Sequence, residues 1–201
     1  KKSLIMNSIN SLVDQYIAVI DAIYGTTFDS TYGFHLQFEE ISAIQESATS
    51  HLSSLEKHAA IHELDKKQLT YAHSDQQNIA HATTIGNYKI RNCSIGPNYR
   101  WITNMATVSI YEYWETTFRS KIAECLGVDK EKVLIDEFGD LRYLRNAILH
   151  KLGKGTEDLE KKAIKFNWFK NNDLINIDMS KFDYMVTEIK LRLTELRVSA
   201  D

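Results

Sequence analysis

A single proline, Pro97, and eight glycines in 201 residues leave this chain almost free of strong helix breakers. That scarcity favours long helices over a many-turned β-sandwich, so the expected class is mainly α. With 43% hydrophobic residues the chain can bury one sizeable core or two small ones, and a single domain over residues 1–201 is the simpler expectation.

Hydrophobic spacing divides the chain. Ile5, Ile9, Leu12, Tyr16, Ile20 and Ile23 recur at three and four residues, which predicts a first helix over residues 4–24. The Thr, Asp, Ser and Gly of residues 25–33 read as a connector. A long second helix is expected from Phe38 to about Tyr71, with a thin stripe of Ile41, Ile44, Ala48, Leu52, Leu55 and Ala59. Residues 74–100, with Gly86, Gly96 and Pro97, have no helical period and read as an irregular central loop holding at most one short strand. Ile102, Ala106, Ile110, Trp114 and Phe118 then predict a helix over residues 101–126 with Gly127 as its C-cap. A helical turn near residues 129–133 and a helix over residues 136–152, stopped by Gly153, follow. AIKFNWF and DLINIDM, on either side of Lys170, Asn171 and Asn172, predict a small β-hairpin. Ser180 with Asp183 resembles a capping box for a C-terminal helix whose apolar face is Phe182, Val186, Ile189, Leu193 and Leu196.

Charge and cysteine content narrow the function. A net charge of −3 excludes coating nucleic acid by bulk charge, so any nucleic-acid site must be local. Residues 142–170 carry eight basic against three acidic residues, a local excess that a solvated face would equally explain. No apolar run approaches the roughly 18–20 residues of a bilayer span, and KKSLIMNSINSLVDQ turns polar too soon for a signal peptide. With no disulfide spacing between Cys93 and Cys125, a soluble cytoplasmic protein with inert thiols is expected.

The segment LRNAILHKLG, from Leu144 to Gly153, carries the most chemistry. With Leu141 at zero and 100° per residue, Leu144, Ile148, Leu149 and Leu152 share an apolar arc running from about 300° to about 80°. Arg145 falls inside it, at about 40°, while Arg142, Asn146 and His150 form a polar strip at about 100°, 140° and 180°. An unpaired guanidinium in an apolar setting costs several kcal/mol, so Arg145 needs a carboxylate or phosphate. Glu112 and Glu115 of IYEYWETTF are the candidate carboxylates. A structural salt bridge for Arg145 and helix C-terminal capping by His150 are the plain alternatives to a functional site.

DLRYLRNAILHKLG resembles the signature helix of the HEPN superfamily, in which four to six residues separate an arginine, often followed by asparagine, from a histidine. Arg145, Asn146 and His150 match with four residues between arginine and histidine. The resemblance extends loosely over residues 101–198, and residues 1–100 add compatible helices without a matching motif. It implies a HEPN-like helical bundle and a metal-independent endoribonuclease, serving as a toxin or defence effector, with its cleft built by two copies. Arg145, Asn146 and His150 would be catalytic; Arg142, Tyr143, Lys151 and Lys154 would line the RNA path, or Tyr143 would fill the dimer interface. The chemistry is self-consistent. RNA supplies its own 2′-OH nucleophile, histidine shuttles protons near neutral pH, and arginine grips phosphate. RNA, a second copy and an antitoxin or regulatory protein are the implied partners, with no cofactor. In toxins of this superfamily paired with nucleotidyltransferase antitoxins a tyrosine follows the histidine by two residues; here Leu152 stands there, which puts that regulation in doubt.

Rival readings are weaker. His51, His58 and His62, with His73 or His81, are spaced for a zinc site, but no cysteine or carboxylate pattern completes it, and HAAIH lacks the glutamate of HExxH. There is no GxxxxGK[ST], GxGxxG or GxSxG. The loop IRNCSIGPNYRW, with Arg91 and Arg100, is a candidate contact for nucleic acid or a partner, or a plain surface loop. The alternatives from other classes are a noncatalytic helical module that binds RNA, nucleotide or protein with Arg145 as a structural ion pair, and a dimerisation scaffold.

Overall fold

The computed structural model describes residues 2–72 and 79–197, with side chains for residues 8–71 and 79–197. It is mainly α-helical with one two-stranded antiparallel sheet among the described residues. The chain forms two compact units, residues 29–101 and a second unit made of residues 1–28 with 102–201.

Helix α1 runs unbroken over Lys2–Ala48, so the expected connector at residues 25–33 is helical. Glycine costs a helix only about 1 kcal/mol relative to alanine, and no proline stands there to break the backbone ladder. The Thr27 hydroxyl donates to the Ile23 carbonyl, 2.8 Å away, which satisfies it inside the helix. The real break comes later, inside the expected second helix. Thr49 and Ser50 hydroxyls donate to the Gln45 and Ser47 carbonyls, and the chain restarts at α2 (Ser54–Asp65). There the Ser53 backbone N–H and hydroxyl both donate to the Glu56 carboxylate, a restart signal of the capping-box type.

Strands β1 (Gln68–Ala72) and β2 (Ile79–Thr84) pair antiparallel, with Tyr71 opposite His81 and a bulge between Tyr71 and Ala72. Thr84 then caps α3 (Ile85–Asn92), accepting from the Asn87 N–H. The expected irregular loop over residues 74–100 is therefore a strand, a helix and the start of another helix, with residues 74–78 outside the described part. Pro97 opens α4 (Pro97–Tyr113); proline suits a first helical position because its missing N–H has no partner to lose there.

In the unit containing residues 102–201, α4 passes into a π-helical turn over Trp114–Phe118 and then α5 (Arg119–Leu126). Gly127 caps α5 at φ 67°, as its position predicts. A short 3₁₀ turn (Lys130–Lys132) leads to α6 (Asp136–His150), α7 (Glu157–Lys162) and α8 (Met179–Glu195). Asp178, not Ser180, is the N-cap of α8, and accepts from the Lys181 N–H at 2.9 Å.

The core joins Ile9, Val13, Tyr16 and Ile20 of α1 to Ile110, Trp114 and Phe118, to Leu141, Leu144 and Ala147 of α6, and to Phe182, Met185 and Ile189 of α8. Trp114 stacks on Phe138 at 4.0 Å, and Tyr16 on Phe118 at 4.5 Å. Tyr16 is fully buried and donates to the Ile110 carbonyl at 2.7 Å; burial holds its hydroxyl well above the usual tyrosine range.

No hairpin forms over residues 163–179. Those residues are extended, and after the turn at Asn171 and Asn172 the returning strand pairs with Gly153–Gly155 instead, through the bridge between Lys154 and Leu174. The Gly155 N–H donates to the Asp173 carbonyl and the Ile175 N–H to the Gly153 carbonyl. A Cβ at Gly155 would lie 2.1 Å from the Lys170 carbonyl oxygen, so only glycine allows that approach. The outgoing stretch is held by the buried Asp140 of α6, whose carboxylate accepts from the backbone N–H groups of Ile164, Lys165 and Phe166 at 2.6–3.0 Å.

Candidate nucleic-acid cleavage site

Helix α6 has a clear division of faces. Leu141, Leu144 and Ala147 are fully buried, and Arg142, Asn146 and His150 are exposed. The apolar arc ends sooner than the helical wheel predicts. Leu149 is 40% exposed and Leu152 is 91% exposed, so neither closes the core. For Leu152 the cause is the helix end: α6 stops at His150, Leu152 takes a left-handed φ of 55° and Gly153 one of 73°, and the wheel no longer applies there. A left-handed leucine is uncommon because its Cβ crowds the following carbonyl.

Arg145 draws the three signature residues together. Its Nε donates to Glu112 Oε1 at 2.7 Å, and its Nη1 lies 3.1 Å from Asn146 Oδ1 and 2.8 Å from His150 Nε2. Arginine cannot accept a hydrogen bond, so the Nε2 of His150 must be the acceptor. The contact is made through the Nε2 lone pair of His150, with Nδ1 left facing away from Arg145. Protonating Nε2 would set donor against donor and break the contact. Among the described residues the Nη2 of Arg145 and the Nδ2 of Asn146 donate to nothing, which leaves donors for an oxyanion.

Glu112 is the partner of Arg145 and Glu115 is not. Glu115 pairs with Arg119 at 2.9 Å and with Lys130 at 2.6 Å. Burial pushes the Glu115 carboxyl up, but hydrogen bonds from Lys130 and Arg119 outweigh it and hold the group below its ordinary value. In a regular helix the two glutamates would share a face. The π turn that begins at Trp114 separates them, and π turns of this kind recur at functional sites. Arg145 keeps 26% of its side chain exposed and Glu112 39%, so the pair is anchored yet open to solvent.

A groove of about 530 Å³ opens over the strip, lined by Arg142, Tyr143, Asn146, His150, Lys151, Thr156, Asp158 and Lys162. Arg142 lies over the Tyr143 ring at 5.1 Å and donates to its hydroxyl at 3.2 Å. Lys154 is exposed but does not line the groove; its backbone is engaged by Leu174. Thr156, Asp158 and Lys162 enter the groove through a fold-back of the chain that no motif signals. The basic excess of this region is partly cancelled within α7, where Lys161 pairs with Glu157 and Lys162 with Asp158. Hydrogen bonding and charge from Lys162 hold the Asp158 carboxyl below its usual range. Arg142 and Lys151 have no ion pair among the described residues, so they supply the groove's net positive charge.

The other candidates do not assemble. Among the described residues no three His, Cys, Asp or Glu side chains converge as a metal site. His58 lies 2.7 Å from the Ser54 carbonyl, His62 lies beside Glu63, and His73 is outside the described residues. Cys93 and Cys125 are free thiols. Among the described residues no helix is long and apolar enough to cross a membrane. Compared with protein-family models, with curated proteins and with solved structures, the chain matches none.

Proposed function

We propose that this chain is a metal-independent endoribonuclease of the HEPN type, acting as a toxin or defence effector on RNA. The observation that carries the reading is the contact of Arg145 Nη1 with both His150 Nε2 (2.8 Å) and Asn146 Oδ1 (3.1 Å) at the edge of a groove that holds Arg142 and Lys151. Salt-bridge duty alone would satisfy Arg145 through Glu112 and would not require the histidine.

The reaction is a transesterification. The 2′-OH oxygen forms a bond to phosphorus while its proton passes to a histidine base, the P–O5′ bond breaks, and the leaving oxygen takes a proton from a histidine acid. The products are a 2′,3′-cyclic phosphate and a 5′-hydroxyl. Arg145 balances charge on the phosphorane, and its turn toward phosphate frees the Nε2 lone pair of His150. Glu112 fixes the guanidinium plane, and Asn146 donates from Nδ2 to phosphate or ribose. One copy offers one histidine, whereas base and acid act together, so a twofold dimer completes the site. The exposed Leu149 and Leu152 beside His150 are the apolar surface such a dimer would cover.

The test is cleavage of single-stranded RNA in EDTA. Wild type should cleave to cyclic-phosphate ends, and His150→Ala should lose at least about 100-fold of that rate with an unchanged circular dichroism spectrum. Activity that survives in His150→Ala, or that EDTA abolishes, overturns the reading.

The Glu112–Arg145 ion pair supports a second reading, a noncatalytic binding module in which Arg145 is structural. It requires wild type to cleave no RNA and Arg145→Ala to show only a loss of stability, about 1 kcal/mol for a partly exposed pair, whereas the nuclease reading requires that variant to be folded and to have lost cleavage.

A further inference from the structure

The unit of residues 29–101 carries a second arginine–histidine constellation. Arg91, on α3, donates from Nη2 to the Tyr71 hydroxyl at 3.0 Å, and its Nη1 lies 3.1 Å from His81 Nε2. Its guanidinium carbon is 5.1 Å from the centre of the Tyr88 ring and 5.9 Å from that of Tyr71. Tyr71 and His81 face one another across the hairpin, rings 5.7 Å apart, beside the bulge. Bulges re-aim side chains and recur beside functional sites.

Two features separate this cluster from an ordinary surface arginine. Arg91 has no carboxylate partner among the described residues, and its Nε is buried without a hydrogen bond. A half-buried guanidinium whose Nε is unpaired and whose other neighbours are only rings and neutral acceptors has no counter-ion among the described residues. Second, the hydrogen bonding leaves donors facing outward. With His81 Nε2 accepting from Arg91, the imidazole N–H stands on Nδ1, and each Nη of Arg91 keeps one further N–H, while the Tyr71 hydroxyl is engaged by Arg91 and Tyr88. His81 and Tyr71 are both exposed, and Ile79, two residues before His81, is 61% exposed. Glu40 acts on Tyr88, but less strongly than Arg91 does.

We infer that Tyr71, His81 and Arg91 form a binding site for a nucleotide phosphate, with the guanidinium and imidazole N–H groups on the phosphate oxygens and the Tyr71 ring against the base. An acceptor-rich anion is the complement of the N–H groups that Arg91 and His81 have left over, and an exposed tyrosine ring beside them offers the stacking surface a base requires. The site belongs to the unit of residues 29–101, whereas α6 belongs to the other unit, and it does not rest on the nuclease reading. The phosphate has two sources, a free mononucleotide or a single-stranded RNA backbone.

The full chain carrying Arg142→Gln, Arg145→Gln and Lys151→Gln, so that Arg145 and the unpaired cations of the α6 groove do not contribute, is titrated with three probes: a fluorescein-labelled single-stranded oligonucleotide, 2′-O-methylated so that it cannot be cleaved, 5′-AMP, and inorganic phosphate. Saturable binding of the oligonucleotide or of 5′-AMP is expected, stronger than that of inorganic phosphate, and whichever of the two binds identifies the source. Adding Arg91→Gln should weaken that binding by about 10-fold or more, and the surface change His81→Ala should weaken it in the same direction without touching the buried part of Arg91. No binding of either nucleotide probe, phosphate binding equal to that of 5′-AMP, or affinity unchanged in folded Arg91→Gln and His81→Ala overturns the inference.

Discussion

Arg145 is held by one carboxylate and touches one imidazole, and a lysine cannot do both, because its single ammonium lacks the planar fork. Arg145→Lys should therefore keep the fold, with a melting temperature within a few degrees of wild type, since the Glu112 pair is partly exposed and worth about 1 kcal/mol or less. RNA cleavage should fall by about 100-fold; retention of the wild-type rate would remove the guanidinium from the mechanism. Glu115 makes a different prediction, about pH. Its carboxyl is held below its ordinary 4.5 in the folded chain, so its pairs with Arg119 and Lys130 stabilise the fold fully above pH 4.5 and lose that effect as pH falls through the lowered value. The melting-temperature gap between wild type and Glu115→Gln, present at pH 7, should close below pH 4.5. A gap that stays constant to pH 3 would contradict the assignment.

At the scale of elements, α6 depends on what it holds in place. Asp140 takes the N–H groups of Ile164, Lys165 and Phe166, and these keep the extended stretch, with the fully buried Phe166, against the core. Asp140→Ala strands three backbone donors, one buried at Phe166 and two part-buried, each worth about 1–3 kcal/mol, and should cost about 3 kcal/mol, read as a fall in melting temperature of roughly 6–12 °C. A loss under 2 °C would mean that the backbone finds other acceptors. The hairpin expected at residues 163–179 failed here for the same reason: alternation of apolar residues shows which side chains turn inward, not which backbone supplies the partners. Asp140 and Gly153–Gly155 supply them instead. The connector expected at residues 25–33 failed differently, because glycine and threonine are weak helix breakers wherever the backbone ladder remains available.

For the whole molecule, the question is whether two copies share one site. Leu152 is almost fully exposed, adopts a left-handed conformation and lies two residues from His150. Aspartate tolerates that conformation better than leucine, so Leu152→Asp should leave the monomer folded and at least as stable while placing charge in the shared surface. Sedimentation should show wild type as a dimer and Leu152→Asp as a monomer with cleavage reduced at least about 10-fold. A monomeric wild type that cleaves, or a dimeric variant, would sink the composite site.

Sequence alone was enough for the mainly α class, the Gly127 cap, most of the buried faces of α4, α6 and α8, and the Arg142–Asn146–His150 strip, because helical periodicity and capping are local. It also named Glu112 as an ion partner, but with Glu115 beside it, since a regular helix puts both on one face. Only the tertiary structure separated them, through the π turn at Trp114–Phe118. It likewise decided the exposure of Leu149 and Leu152, the entry of Thr156, Asp158 and Lys162 into the groove, and the meeting of Arg91, His81 and Tyr71. Each depends on contacts between residues brought together by turns, and the direction a chain takes after a turn is set by the partners it finds, which spacing along the chain does not encode.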